Sequence, residues 1–194
     1  MVVCAIFVGL AGAIGAVLFR LMIRVIQGFA FEGLDGVAAV FEEGMAAETR
    51  DPLEVAQQMA WYWRIAIPAV GGMIVGPLIY LLAREARGHG VPEVMKAVAV
   101  RGGVIRARLV GVKALASALT IGTGGSVGRE GPIIQIGSAF GSNLGQWLKL
   151  NAASVRTLVG CGAAAGISAT FNAPIAGAIF AAEIIVGDFA VTQF

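Results

Sequence analysis

Residues 2–19 read VVCAIFVGLAGAIGAVLF, 18 consecutive positions without a charged side chain. As a helix this run is about 27 Å long, close to a hydrocarbon core of about 30 Å. No basic segment precedes it and it is longer than the usual apolar core of a signal peptide, so it reads as a retained transmembrane helix, with nothing cleaved. Arg20 and Arg24 close it. The same character extends along the chain: of 194 residues, 58% are hydrophobic and 13% charged, with a mean hydropathy of +0.84. Soluble domains carry about a quarter charged residues, and a globule this apolar lacks the polar surface to cover itself. A disordered chain and a soluble globule are both excluded. What remains is an all-α, polytopic integral membrane protein of roughly five or six helical segments, placed in a plasma or inner membrane.

A second apolar run, 65–83, lies between Arg64 and Arg84 and holds Pro68, Gly71, Gly72, Gly76 and Pro77. These should bend a helix whose neighbours can satisfy the freed backbone groups. Between the two runs, residues 32–54 carry seven acids (Glu32, Asp35, Glu42, Glu43, Glu48, Asp51, Glu54) against Arg50 alone, which reads as an acidic extramembrane loop at about 28–60. Residues 84–113 carry seven bases and two acids. The excess of bases assigns 84–113 to the cytoplasm, the acidic loop to the far side and the N-terminus to the cytoplasm, although Arg20 and Arg24 stand against that assignment.

The net charge of +2 is too mild and dispersed for nucleic-acid binding. Cys4 and Cys161 sit among Gly and Ala as small hydrophobes, so neither a disulfide, a metal site nor a cofactor is indicated. Beyond Lys113, uncharged stretches run over 114–128, 131–148 and 157–182, some too short to cross a bilayer. Gly137, Gly141 and Gly145 recur every fourth residue, as do Gly162 and Gly166. That spacing puts small residues on one helix face and lets backbones approach closely.

Two segments share a chemistry: Gly88-His89-Gly90-Val91-Pro92 and Gly128-Arg129-Glu130-Gly131-Pro132, each ahead of a short apolar helix. Proline suits a first helical turn, where its missing N–H would be unpaired, and glycine lets the backbone approach a ligand. The amides left over cost several kcal/mol each in lipid unless something accepts from them, and the helix dipole adds positive charge at the same end. An anion satisfies both, and helix starts converging at mid-membrane can hold one without a full buried cation. Glu130 is expensive in a bilayer and so a candidate functional residue. Its carboxylate can take the amides an anion would use, and would release them when protonated.

These residues, with Phe171-Asn172-Ala173-Pro174-Ile175-Ala176-Gly177 ahead of Glu183, resemble the CLC family of chloride channels and proton-coupled chloride antiporters, through nearly the whole chain. The resemblance implies voltage-gated-type transmembrane chloride transport rather than an enzyme, with Glu130 as the gating glutamate. It implies anion-binding positions at Gly88, His89, Gly90, Val91, Gly128, Arg129 and Gly131, and a lysine, Lys113, whose charge favours anions in the pore. The family usually has Ser where His89 stands, which leaves anion preference open. Antiporters of the family place an internal proton-accepting glutamate directly after the residue matching Glu183, and here that residue is Ile184. This points to a channel or uncoupled carrier, with a proton-coupled antiporter as the alternative. Glu183 itself reads as structural.

The resemblance also implies that residues 1–194 are a partial membrane domain, the first half of an inverted-repeat pore unit. The Gly-x-Phe-x-Pro element and late tyrosine of the second half do not occur in it. Its partners would be chloride or a similar small anion, the lipid bilayer, the second half and, in the complete protein, a second copy. A non-transporting membrane assembly subunit is the remaining alternative. Gly122-Thr123-Gly124-Gly125-Ser126-Val127-Gly128 fits neither spacing of a nucleotide-binding loop.

Overall fold

The structure, a computed structural model, describes residues 1–42, 57–82 and 90–187. Their regular structure is helical: α1 (Val2–Glu42), α2 (Trp61–Leu82), α3 (Gly90–Val100), α4 (Ala107–Gly122), α5 (Glu130–Trp147), α6 (Ala152–Phe171) and α7 (Pro174–Phe180), which runs into a π-helical turn at Ala181–Val186. Among the described residues, Val2–Phe41, Trp61–Leu82 and Ala152–Phe171 are long and apolar enough to cross a membrane. The 11 residues of α3 reach only about 17 Å, so that helix cannot cross a bilayer alone. An all-α, multi-pass membrane protein with helices that start inside the bundle matches the sequence reading.

The acidic loop begins later than the charge pattern implies. Helix continues to Glu42, so residues 28–42 are not loop, and the rest of the acidic stretch to residue 56 falls outside the described residues. The chain turns at Gly33, whose φ of 70° and ψ of −143° break α1 into two pieces. The second piece folds onto the first: a Cβ on Gly28 would lie 2.8 Å from the Gly36 oxygen, and one on Gly36 would lie 2.6 Å from the Gly28 oxygen. Charge count alone cannot show this reversal, because it depends on a backbone conformation that glycine adopts freely.

The glycine stripes do what their spacing implies. Gly137 of α5 lies against Gly162 of α6, Gly141 against the Leu158 carbonyl, and Gly145 against Val155, whose side chain would be 3.0 Å from a Cβ placed on it. Gly12 of α1 joins the same crossing, its Cβ position 3.3 Å from the Gly162 oxygen. Around it the core is aliphatic: Val94, Ala97 and Val98 of α3 pack with Ile134 and Ala139 of α5 and Val159 and Ala163 of α6. Without water to expel between helices in lipid, this backbone-close van der Waals contact is the main source of association.

Helix ends are set locally. Asn151 caps α6 by accepting from the Ser154 amide at 2.9 Å. Asn172, at φ 52°, ends the same helix with its amide donating to the Ser168 carbonyl, and Pro174 begins α7. Between α3 and α4, Ser142 of α5 pins the connection: its hydroxyl donates to the Gly103 oxygen at 2.6 Å and accepts from the Ile105 amide at 2.8 Å. Large apolar side chains face outward along α1, α2 and α7, with Ile175 78% exposed. Such surfaces suit lipid or further helices.

Candidate anion site

The two glycine-proline segments become helix starts, and the starts meet. Helix α3 opens at Gly90 with Pro92 third, and α5 opens at Glu130 with Pro132 third. Gly90 is buried against the Gly131 carbonyl, and a Cβ on Gly131 would lie 3.3 Å from the Gly90 nitrogen. A side chain at either position would separate the two ends. Val91 packs beside them against the core, while Gly88 and His89 fall outside the described residues.

At α5 the first intrahelical bond runs from the Ile133 amide to the Arg129 carbonyl at 3.3 Å. The amides of Glu130 and Gly131 precede it, Pro132 has none, and the Arg129 side chain makes no capping bond. The Glu130 carboxylate turns back over Gly128, where Oε2 fills the space a Cβ would need. It therefore lies at the positive end of its own helix, where an acidic group is favoured. Gly128, Arg129 and Glu130 are all exposed in this chain.

Lys113 is drawn into the same region from α4. It is 7% exposed, and its ammonium meets Glu93 Oε2, in the first turn of α3, at 3.3 Å. Gln135 of α5, 2% exposed, donates to that oxygen at 2.7 Å. Leaving this ammonium buried without its partner would cost roughly 3–5 kcal/mol. The connections form two rungs between α3 and α5: Gly90 against Gly131, then, about one turn on in each helix, Glu93 against Gln135. Gln135 Oε1 makes no hydrogen bond among the described residues. The cavity of about 20 Å³ beside it is lined by Glu93, Gln135, Arg101, Arg106 and apolar neighbours.

Glu93 and Gln135 are the site residues that sequence reading missed. The available signals were an acid one turn after Gly90 in a basic segment, and an amide one turn after Gly131 in an uncharged run. At the other end, Glu183 is exposed and Ile184 is half-buried against the core, lining a cavity of about 470 Å³ together with Lys96 and Arg156. Among the described residues no cluster of His, Cys, Asp or Glu could hold a metal ion.

The arrangement can hold a small anion at paired helix starts, with a carboxylate placed to compete for it. Residues 71–194 match the family described as voltage gated chloride channel. A ClcB-like protein of Ralstonia nicotianae is 34% identical over 191 residues, covering 96% of this chain and 41% of its own length. The H(+)/Cl(-) exchange transporter ClcA of Salmonella arizonae is 37% identical over 134 residues, 68% of this chain and 28% of its own. A solved structure of a slow cyanobacterial Cl-/H+ antiporter has a TM-score of 0.71 at 23% identity, covering 97% of this chain and 41% of that one, a likeness of fold. The chain thus spans about two fifths of the length of the first of these relatives.

Proposed function

Because the chain belongs to the voltage gated chloride channel family, we propose that it supplies one half of a chloride-conducting pore in which Glu130 is the gate. The observation that carries this reading is the meeting of the Gly90 and Gly131 helix starts, with the Glu130 carboxylate folded over Gly128 beside them. Chloride binds at the free amides of Glu130 and Gly131 and at the start of α3, helped by both helix dipoles. Gly88 and His89, which precede Gly90 in the sequence, are the further anion contacts of this reading. Arg129 belongs to the same anion-binding turn, and Lys113 lies behind it, paired with Glu93. The ionised Glu130 carboxylate competes for the outer amides, and its protonation or displacement opens the path. A second pore half completes the site, and the complete unit pairs with a second copy of itself, with 84–113 facing the cytoplasm.

Proton-coupled antiport is the second reading, favoured by the H(+)/Cl(-) exchange of the Salmonella relative. The apolar Ile184, flanked by Lys96 and Arg156 in the same cavity, favours uncoupled transport. The gate is tested by Glu130→Gln in the complete pore unit reconstituted in liposomes. The neutral amide mimics the protonated state, so chloride efflux should persist and lose its response to external pH. Efflux that keeps the parent's pH response in that variant removes Glu130 as the gate.

A further inference from the structure

Glu93 Oε2 receives two donors from two other helices, the Lys113 ammonium and the Gln135 amide. Gln135 gives its N–H to the carboxylate although its own buried Oε1 is left without a hydrogen bond among the described residues. The Gln135 amide donates and the Glu93 oxygen accepts, so the contact fixes that oxygen between α4 and α5. Glu93 Oε2 thus stands 3.3 Å from the Lys113 ammonium and 2.7 Å from the Gln135 amide nitrogen. Two opposite charges this close present a dipole to any third group, and their joint field falls off faster than that of a lone ammonium.

We propose that Glu93 sets the chloride affinity of the site by cancelling the field of Lys113, an inference that rests on the anion-site reading above. Gln135 is a positioning residue: from one turn below Gly131 it holds the carboxylate on Lys113. Its amide carbon is also 3.1 Å from the Cβ position of Gly90, so the same side chain spaces the two helix starts. An uncancelled buried cation would hold chloride too firmly for passage, since conduction requires binding weak enough to release the ion. The carboxylate gives Lys113 a place inside the bundle and lowers the affinity to a passable level.

The test is chloride binding by titration calorimetry to the complete pore unit containing this chain, in four forms: parent, Glu93→Gln, Lys113→Met and the double variant. Glu93→Gln should tighten chloride binding about tenfold and Lys113→Met should weaken it. The double variant should lie within about twofold of the parent, because a cancelled pair and an absent pair have similar long-range fields. Structural damage alone loosens binding, so tightening is a readout that a merely structural Glu93 would not produce. Unchanged or weaker binding in Glu93→Gln overturns the proposal. Where that variant fails to fold, the double variant decides: affinity near the parent's supports cancellation, and a tenfold loss overturns it. A parent that binds no chloride defeats the anion-site reading itself, a result distinct from a parent that binds with Glu93→Gln unaffected.

Discussion

Gly137 and Gly162 face each other with their backbones in contact, so that a Cβ on either would strike the carbonyl oxygen of the other. Gly137→Ala should therefore push α5 off α6 and destabilise the chain by about 1–3 kcal/mol. Gly111→Ala is the control, because its Cβ meets nothing within 4 Å and alanine is the better helix former. Thermal unfolding in detergent should show a lower midpoint for the first variant and an equal or higher one for the second. Equal midpoints for Gly137→Ala and parent would mean that the two helices separate at no cost.

Ser142 joins α5 to the α3–α4 connection through Gly103 and Ile105, and it also accepts from Gln146 at 2.9 Å. Ser142→Ala leaves the buried Ile105 amide and the Gly103 carbonyl without that partner, a loss of about 1–3 kcal/mol. Hydrogen exchange at the Ile105 amide should quicken in step with the fall in stability. Undiminished protection there would show that another acceptor replaces the hydroxyl.

Ile184 cannot carry a proton, so the complete pore unit should move chloride with little stoichiometric proton countertransport. Simultaneous chloride and proton flux in liposomes under a chloride gradient measures this. Uphill proton movement at a fixed ratio to chloride would falsify the uncoupled reading and require a proton route that avoids residue 184.

His89, next to Gly90 in the sequence, is a proposed anion contact. Protonation adds a charge and a second N–H donor, so chloride affinity should rise as pH falls from about 8 to about 5. His89→Ser should flatten that rise. Equal chloride affinity in parent and variant across the range would remove His89 from the pore.

Elements governed by neighbours in sequence were legible. Helix starts at Gly90 and Glu130 follow from glycine and proline spacing, and the α5–α6 contact follows from a four-residue repeat. Two features were not legible. The turn at Gly33 looks from its charges like ordinary loop, because the information lies in one positive φ. The Lys113–Glu93–Gln135 cluster draws single residues from three helices, and no local pattern announces that 93, 113 and 135 meet. Lys113 stands out in the sequence through the family resemblance, yet its surroundings emerge only when α3, α4 and α5 are packed together.

The π-helical turn at Ala181–Val186 carries one more residue than an α turn would. Successive helical residues point about 100° apart, so a shift of one position changes which side chain occupies a given direction. Glu183 is exposed and Ile184 faces the core, neighbours separated by that one step. A single residue inserted ahead of Glu183 and not taken up by further widening of the turn would advance the register by one and carry a carboxylate into the place now filled by Ile184. At this end of the bundle, whether an acid or an aliphatic group lines the cavity is a matter of helical phase as well as of residue identity, and a change in chain length could convert one into the other without replacing any side chain.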